Sequence, residues 1–320
     1  MSLHDIIVPL YDMYYREPRL KWRTRGTSGR GEEGSYPYVF MVDGRINHGG
    51  MFDRLKGLVT VYAIAKSLGK DFRIDWTYPF DLTKYLEPVS HDWRITEDKM
   101  RWGLTDHANI IAYGETANPR RLWKRRSRET HFYYGFNSID KVNAHFGTCY
   151  DWGELYRELF RPTPYLQQYL DYYKQDIGSE YIAIHTRFMN LLGDRVETVG
   201  HLVTLSEEEQ QKLKEATKAA IEKLMLQHPG KRVMVASDSM EFIKYISSEI
   251  PAVYIVPGNA KHIDTVGETD DTENIKIFTD YYFMAGAQHV YSLWHEGMYR
   301  SAFPEYSARI GGVEFTRLDF

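Results

Sequence analysis

The stretch YIAIHTRFMN at residues 181–190, together with RVMVASDS at residues 232–239, decides the predicted fold of this chain. Each begins with a short, mostly apolar run and ends in polar side chains, which is typical of a buried strand in a parallel sheet. Between them, Ser206 and Glu209 have the S-x-x-E spacing of a capping box, which predicts a helix that ends at about Gln227. A buried strand, a helix and a second buried strand form the repeating unit of an α/β protein.

The alternation continues toward the C-terminus. It predicts strands at AVYIV and HVYSL, with helices over Met240–Glu249, Glu273–Ala287 and Tyr299–Ala308. The carboxyl ends of parallel strands share one edge of the sheet, and open α/β sheets bind their ligands there. Polar residues directly after the strands are therefore the candidates for a site.

Toward the N-terminus, one more unit of this kind can be recognised. A strand over Tyr38–Val42, a helix over Asp53–Leu68 and a strand over Phe72–Trp76 predict a βαβ unit. Residues 77–150 contain only short candidate strands such as Ile110–Tyr113, and we assign them to the same N-terminal lobe.

The length of the chain indicates two domains. Its 320 residues exceed the usual domain size of roughly 100 to 200 residues. Helices predicted over Trp152–Phe160 and Tyr165–Lys174 are expected to connect the lobes. We therefore expect domains at residues 1–160 and 161–320, with the last helix packing back onto the first lobe.

Composition excludes several classes of protein. With 43% hydrophobic and 26% charged residues the chain is an ordinary soluble protein, and its net charge of −4 provides no global attraction for nucleic acid or anionic membrane. The single cysteine, Cys149, cannot form an internal disulfide or a cysteine zinc site. The N-terminus does not have the pattern of a signal peptide, and no apolar run is long enough for a membrane span. We expect a cytoplasmic protein.

Two strand-to-helix junctions carry the strongest candidates. In NHGGMFDR, Gly49 and Gly50 precede a helix whose free N–H groups can bind a phosphate, although a plain turn with Asp53 as a cap fits equally well. In IAIHTRFMN, His185 and Arg187 follow a strand, and a guanidinium there is suited to hold a phosphate. A buried histidine and an arginine in a structural ion pair are the alternative interpretation.

Two further junctions have the same form. Ser237, Asp238 and Ser239 follow the RVMVAS strand and can cap the next helix or bind a nucleotide. In SLWHEGMYRSAF, the residues after Gly297 place an arginine and hydroxyl groups at a predicted helix start, which can hold a diphosphate. An amphipathic helix with Arg300 exposed is the alternative.

Together these junctions resemble the fucosyltransferase superfamily that includes the α1,6-fucosyltransferases and the protein O-fucosyltransferases. HGGMFDR is similar to its G-G-x-x-[DN]-[RQ] turn, IAIHTR to its H-x-R motif, and VMVASDS to its strand ending in [ST]-D-[ST]. TDYYFMAGAQHVYSLWHEGMYRSA is similar to its D-x3-[LM]…S-G-[FY]-[ST]-R-x-A segment. The resemblance covers residues 38–76 and 181–312.

The resemblance implies a GT-B architecture, in which two Rossmann-like lobes with parallel sheets face a central cleft. It further implies an inverting, metal-independent transferase that moves fucose from GDP-fucose to a saccharide acceptor. The N-terminal lobe would bind the acceptor and the C-terminal lobe the nucleotide sugar. The partners would be the nucleotide sugar and a glycan, with no cofactor, no metal, no nucleic acid and no membrane span.

Residue by residue, the resemblance implies two catalytic positions. Arg187 would contact the donor phosphates and assist their departure, and His185 would organise the site. The donor-binding positions would be Gly49, Gly50, Asp53, Arg54, Asn190, Ser237, Asp238, Ser239, Tyr299, Arg300 and Ser301.

Two departures from the family pattern leave alternatives open. Phe188 and Met189 follow the H-x-R motif, and the bulky run Trp294 to Glu296 stands where relatives have small residues. A transferase for another nucleotide sugar, or a nucleotide- or glycan-binding protein without activity, therefore stays a candidate. The general base is unassigned between Asp53, His48 and Glu296.

Competing functions have weaker support in the sequence. A metal-dependent transferase needs a D-x-D motif, but the one dense carboxylate run, Glu268 to Asn274, is typical of a solvated loop with capping acids. No G-x-S-x-G elbow of a hydrolase occurs. The basic cluster Arg120 to Arg128 contains Trp123, as nucleic-acid sites do, but a solvated loop is the preferred interpretation.

Overall fold

A computed structural model describes residues 7–8, 10–27, 29, 31, 34–112, 120–194, 203–259 and 270–320. The chain divides into two units, Met1–Arg161 and Pro162–Phe320. Tyr113, Glu268 and Thr269 of the predicted segments lie outside the described residues. Within the described ranges, no helix has the length and apolar character to span a membrane.

The first unit is built on a four-stranded sheet whose strands are all parallel, in the order β2-β1-β5-β4. The strands are β1 (Tyr38–Val42), β2 (Phe72–Trp76), β4 (His107–Ala112) and β5 (Glu129–Tyr134), and a separate two-stranded sheet pairs β3 (Leu86–Pro88) with β6 (Phe160–Pro162). The helices are α1 (Glu17–Thr24), which continues a π-helical turn (Asp12–Arg16), α2 (Met51–Ser67), α3 (Arg120–Trp123), α4 (Ile139–Phe146) and α5 (Trp152–Leu159).

Helix α2 is buried almost all around because it packs on the sheet and on other helices. Gly57 makes the close approach to β5 possible: a Cβ at this position would lie 1.9 Å from the Tyr134 carbonyl oxygen. Gly69 follows with a positive φ of 59° at the turn that leads to β2, a conformation that glycine adopts without strain.

The second unit has a five-stranded parallel sheet in the order β11-β10-β7-β8-β9. Its strands are β7 (Tyr181–Thr186), β8 (Arg232–Ser237), β9 (Val253–Tyr254), β10 (His289–Trp294) and β11 (Glu314–Asp319). Its helices are α6 (Pro164–Ile177), α7 (Glu207–Gln227), α8 (Met240–Glu249), α9 (Asp271–Ala285) and α10 (Phe303–Gly311).

The central strand β7 contributes to two hydrophobic cores because successive side chains point to opposite faces. Ile182 and Ile184 join the core that includes residues of α7 and α8. Tyr181 and Ala183 join the core that includes residues of α9. Because helices cover both faces of the sheet, every side chain of β7 is buried. Polar side chains of this segment can reach a ligand only where the strand ends.

The predicted fold class is confirmed, as are the bounds of the strands at Tyr38, Phe72, Tyr181 and Arg232 and of helix α8. The predicted start of the last helix was wrong. It begins at Phe303 rather than Tyr299, because the chain between β10 and Pro304 forms a loop and the proline occupies the first helical turn. It packs on α9 and β10 of its own unit.

Strands β5 and β11 were not predicted, and of AVYIV only Val253–Tyr254 is strand. The sequence ETHFYY of β5 follows a basic cluster, and its first three residues are polar although they are buried. It therefore shows neither the apolar run of a core strand nor the alternation of a surface strand. EFTRLD in β11 is a polar edge strand that gains its partner only from β10.

Candidate functional site

The carboxyl ends of β7, β8 and β10 lie side by side. Thr186 is in register with Ser237 on one side and with Leu293 on the other. The residues that follow these three positions are Arg187, Asp238 and Trp294. Parallel pairing therefore brings three of the predicted segments to one edge of the second unit.

Asp238 fixes the loop that carries Arg187. Its two carboxylate oxygens accept hydrogen bonds of 2.9 Å from the backbone N–H groups of Phe188 and Met189. Met189 has a positive φ of 53°, an uncommon conformation for a residue other than glycine, and such conformations cluster at functional sites. We interpret Asp238 as a positioning residue for this loop, because both of its oxygens hold the backbone.

Arg187 is half-buried at the end of β7. The guanidinium carbon Cζ of Arg187 lies 4.9 Å from the centre of the Tyr299 ring, a cation–π distance, and the backbone N–H of Tyr299 donates to the Arg187 carbonyl at 3.2 Å. The Tyr299 side chain is exposed. The guanidinium carbon thus lies over an aromatic ring at the edge of the sheet.

His185 is buried behind this arginine. Its ring stacks on Phe303 with a centroid distance of 5.6 Å. Burial first, and then the positive charges of Arg187 and Lys276, lower its pKa from 6.5 to about 3, so the imidazole is neutral at physiological pH. Among the described residues its Nδ1 has no hydrogen-bond partner. A pKa this low makes the imidazole a weak base, so His185 fits an organising role better than the role of a base.

Arg300 lies in the loop before α10, over Trp294. Its Cζ is 4.1 Å from the Trp294 ring centre, and a terminal guanidinium nitrogen is 3.6 Å from Asp319. The Trp294 indole N–H donates to the Met298 carbonyl at 2.7 Å. Trp294, the bulky residue that departs from the family pattern, therefore closes the loop after β10 and contacts the guanidinium of Arg300.

The remaining predicted residues of the second unit have structural contacts. The Ser239 hydroxyl caps α8 by accepting from Phe242 N–H at 3.0 Å, which confirms the capping interpretation, and it donates to Asp194 at 3.0 Å. Ser237 accepts from the N–H of Ser239 at 3.2 Å. Ser301 and Asn190 are buried.

Four predicted residues lie in the first unit, at the start of α2. Arg54 is buried, and its guanidinium donates to the carbonyls of Gly49 and Tyr78 at 2.8 Å each, so it closes the loop by binding backbone. Asp53 pairs with Lys56 at 2.7 Å and does not cap the helix, whose N-cap residue is Gly50. A Cβ at Gly49 would lie 2.7 Å from the Asp53 carboxylate, which explains glycine there.

Two of the three candidate bases have environments that argue against the role. Burial and the charge of Arg54 lower the pKa of His48 to about 3, so it is a weak base. The Asp53 side chain is half exposed and paired with a lysine. Glu296 is exposed in the loop after β10.

Sequence reasoning missed a cavity of about 750 Å³ in the first unit, where β1 and β2 end. Four carboxylates and two tryptophans are among its lining residues: Asp43, Asp75, Asp81, Glu97, Trp76 and Trp93. Burial, and next the charge of Asp43, raise the pKa of Asp75 from 3.8 to about 7. A carboxylate inside the strand FRIDW was the available signal, since an ionisable group that is buried in a strand requires compensation.

A second cavity, of about 470 Å³, lies beside α1. Tyr11, Tyr15 and the arginines Arg16, Arg19, Arg23 and Arg45 contribute to its lining. Arg45 lines both cavities and pairs with Asp43 and Glu97.

The competing features have structural explanations. In the basic cluster, Arg121 pairs with Glu17 at 2.8 Å and Arg125 donates to the Leu68 carbonyl at 2.7 Å. Asp270 forms a capping box with Glu273 at the start of α9, as predicted for the acidic run. Among the described residues, no group of three His, Cys, Asp or Glu side chains could hold a metal ion.

The structure is similar to solved fucosyltransferases. An Arg-to-Lys mutant of Arabidopsis thaliana FUT1 in complex with GDP matches with a TM-score of 0.58 and 14% identity, over 99% of this chain and 79% of that chain. NodZ from Bradyrhizobium matches with a TM-score of 0.53 and 14% identity, over 86% and 93%. NodZ α-1,6-fucosyltransferase soaked with GDP-fucose matches with a TM-score of 0.52 and 15% identity, over 86% and 93%.

No family model and no curated protein sequence matches the chain. At identities near 15% the structural likeness defines the fold alone. The chain has the GT-B-like fold of these fucosyltransferases, as the sequence resemblance implied.

Proposed function

We propose that the chain is a glycosyltransferase that transfers fucose from GDP-fucose to a saccharide acceptor. The observation that carries the proposal is Arg187, a half-buried residue at the end of a central strand. Its guanidinium carbon lies over the Tyr299 ring, and Asp238 holds the backbone of the loop that follows it. Arg300 provides a second cation in the same unit. The fold is that of proteins whose structures were solved with GDP or GDP-fucose.

The chemistry follows from charge. In glycosyl transfer, the bond between the sugar and the diphosphate breaks and negative charge accumulates on the departing GDP. Cations that contact this charge stabilise the transition state more than the ground state. Arg187 and Arg300 would serve this purpose without a metal ion, and we infer an inverting displacement that needs no cofactor. Transfer in the presence of excess EDTA at the full rate would support the metal-independent route.

The test is a transfer assay with GDP-fucose and a panel of saccharides, with release of GDP and the mass of the product as readouts. The Arg187→Ala variant is expected to lose at least 100-fold in kcat, as expected when one preorganised donor to the developing charge is removed. Arg232→Ala is the matched control, because Arg232 lies at the opposite, amino end of β8 and is exposed. Equal activity of Arg187→Ala and Arg232→Ala would contradict the proposal.

A binding protein without transferase activity is the second candidate, and the bulky run at Trp294 is the observation that favours it. In this case saccharides and nucleotides would bind, but GDP-fucose would be stable with every acceptor tested. A different nucleotide sugar as donor would appear as transfer from that donor and none from GDP-fucose.

A further inference from the structure

The N-terminal segment, residues 10–25, presents a surface that the proposed transfer does not use. It contains the π-helical turn Asp12–Arg16 and helix α1 (Glu17–Thr24). Elsewhere in the described residues, large hydrophobic side chains that are exposed lie far apart in the sequence, as is normal for a folded protein. A group of them lies within this segment or just before it, here called the aromatic stripe: Ile7, Leu10, Tyr11, Tyr14, Tyr15 and Trp22.

Helical spacing places the stripe on one side of the segment. Residues three or four apart on a helix are neighbours on its surface, which relates Tyr11 to Tyr14 and to Tyr15. The rings of Tyr11 and Tyr15 stack with their centroids 4.9 Å apart. Tyr14 and Trp22 are the most exposed of the group, at 73% and 61%. Aromatic rings thus extend along the solvent side of the segment.

The opposite side of the segment packs on the first unit. Leu20 is buried in a core cluster of that unit. Glu17 pairs with Arg121 at 2.8 Å, and the buried Asp12 pairs with Arg16 at 3.1 Å. Because both acidic residues of the segment have internal partners, its solvent side is dominated by positive charge.

Three arginines on this side lack a partner of opposite charge. Arg19, Arg23 and Arg25 are exposed, and none of them pairs with a carboxylate in the part of the chain that the structure describes. Arg19 donates to the Tyr15 hydroxyl at 2.6 Å, and the Cζ of Arg25 lies 3.4 Å from the centre of the Trp22 ring. Arg19 and Arg23 are four residues apart, where like charges on a helix repel. An anion between them would remove this repulsion.

The 470 Å³ cavity beside α1 shares residues with the stripe. Two tyrosines and four arginines contribute to its lining: Tyr11, Tyr15, Arg16, Arg19, Arg23 and Arg45. Arg16 and Arg45 have carboxylate partners, so the excess positive charge comes from the other two arginines. Guanidinium groups bind phosphate through paired hydrogen bonds, and the cavity therefore suits a phosphate group.

We propose that this face of the first unit binds the surface of a membrane that contains anionic phospholipids. The arginines would contact the lipid phosphates. The stripe would enter the boundary between head groups and acyl chains, where tyrosine and tryptophan are favoured because each has an apolar ring and a polar tip. Helices that lie on membranes combine basic and aromatic side chains in this way. The inference does not depend on the transfer proposed above.

The net charge of −4 does not oppose such binding. The surface potential of a membrane falls off within a Debye length, roughly 8 to 10 Å at physiological salt, so only the charges next to the bilayer contribute. Single-stranded nucleic acids also bind to arginines and aromatic rings. Ile7 and Leu10 favour the membrane, because aliphatic side chains gain free energy among acyl chains and provide no ring on which a base could stack.

The test measures how the full-length protein sediments with vesicles of phosphatidylcholine alone and of phosphatidylcholine mixed equally with phosphatidylserine. We expect binding to the mixed vesicles that weakens as salt is added, and none to phosphatidylcholine alone. In the double variant Arg19→Gln with Arg23→Gln, the partition coefficient into mixed vesicles should fall about 25-fold, because each arginine near an anionic bilayer contributes about a fivefold factor. Its Tm should equal that of the wild-type protein, since both side chains are exposed.

The matched control is the double variant Lys223→Gln with Lys244→Gln. It removes two exposed positive charges from helices α7 and α8 of the second unit, so the net charge changes equally. Its binding to mixed vesicles should equal that of the wild-type protein. An equal loss in both double variants would overturn the proposal, because net charge and not this face would then determine binding.

Trp22 provides a probe of insertion. Brominated phosphatidylcholine in the mixed vesicles should quench the fluorescence of the wild-type protein, and Trp22→Phe should bind the vesicles but lose this quenching. Absence of wild-type binding to mixed vesicles, or quenching that is equal in both proteins, would overturn the proposal. It would also be overturned if, in place of vesicle binding, the double variant of Arg19 and Arg23 abolished binding of pyrophosphate or of a single-stranded oligonucleotide, or dissociated a dimer.

Discussion

The two units have the same architecture, a parallel sheet covered by helices, but different charged side chains accompany the aromatic rings at the carboxyl edges of their sheets. At the edge of the first unit, Asp43 follows β1 and Asp75 is the next-to-last residue of β2, and both line a cavity with tryptophans. At the edge of the second unit, Arg187 and Arg300 lie over aromatic rings. One topology thus carries a cavity lined with carboxylates in one unit and guanidinium groups over aromatic rings in the other.

Because the two sheets have the same form, the chemistry of each edge depends on the side chains at the strand ends. Each edge also uses the same device, in which polar contacts to backbone hold a loop. Arg54 binds the carbonyls of Gly49 and Tyr78 in the first unit, and Asp238 binds two N–H groups in the second. The holding group is thus a cation in the first unit and a carboxylate in the second.

Among the residues that hold a loop by its backbone, Asp238 is expected to affect the rate of transfer most when it is replaced, in the variant Asp238→Asn. The amide offers only one acceptor oxygen to the two N–H groups of Phe188 and Met189, so the loop of Arg187 shifts. A displacement of about 1 Å at a catalytic group can lower the rate about 100-fold. We expect a loss of this size in kcat, measured by GDP release.

The control for this prediction is Asp194→Asn. Asp194 binds Ser239 and the N–H of Glu241 at the start of α8, and it does not contact the arginine loop through these bonds. Its replacement is expected to lower the Tm while kcat stays within threefold. If both variants lose activity equally, Asp238 acts through general stability rather than through the loop.

A smaller effect is expected for Arg300→Ala. The Arg300 side chain is 53% exposed and shares its charge with Asp319, so it should stabilise the leaving group less than Arg187 does. We expect about a fivefold decrease in kcat, because a solvent-exposed cation contributes roughly 1 kcal/mol. Arg309→Ala, an exposed arginine of α10, provides the comparison and should leave kcat unchanged.

The buried carboxyl group of Asp75 should make the stability of the folded protein depend on pH. The pKa of Asp75 is higher in the folded chain, at about 7, than the 3.8 of the free side chain, so the folded state binds the proton more tightly. The stabilisation is complete below pH 4 and is lost as the pH rises to about 7. The wild-type Tm should therefore fall by several degrees between pH 4 and 7 relative to Asp75→Asn. Parallel Tm curves for the two proteins would contradict the raised pKa.

The smallest expected effect is a change in stability when the N-terminal cap of helix α8 is removed. Helix α2 starts at Gly50 without a side-chain cap, whereas α8 starts with the hydroxyl cap of Ser239. Ser239→Ala should cost about 1 kcal/mol. For a unit of this size the cost corresponds to a decrease in Tm of roughly 2 to 4 °C in thermal unfolding. An unchanged Tm would show that the cap contributes nothing to stability.

Sequence reasoning works best where local patterns agree with the tertiary structure. The β7 and β8 strands and the capping box at Ser206 combine strong periodicity with clear boundaries, and they are confirmed. The helix start at Tyr299 was wrong because the sequence does not reveal that Trp294 and Met298 close a loop before Pro304.

The site residues follow the same division. Arg187 and Asp238 could be found because they follow strands directly, but the use of Asp238 as a holder of backbone depends on a contact between separate loops. For Asp75 the sequence offered only the signal of a carboxylate inside a strand, since the cavity that it lines is made by β1, β2 and the turns at Asp81 and Glu97. Only the folded chain brings these segments together.

We propose that Arg187 and Arg300, at the carboxyl edge of the second unit, bind the diphosphate of a guanosine nucleotide. A thermal-shift experiment with GDP, UDP, ADP and CDP on the wild-type protein and on Arg187→Ala tests it most directly. We predict that GDP raises the wild-type Tm more than the other nucleotides and that Arg187→Ala loses most of this increase. A clear increase with UDP and none with GDP, or an equal increase with GDP in both proteins, would contradict the claim.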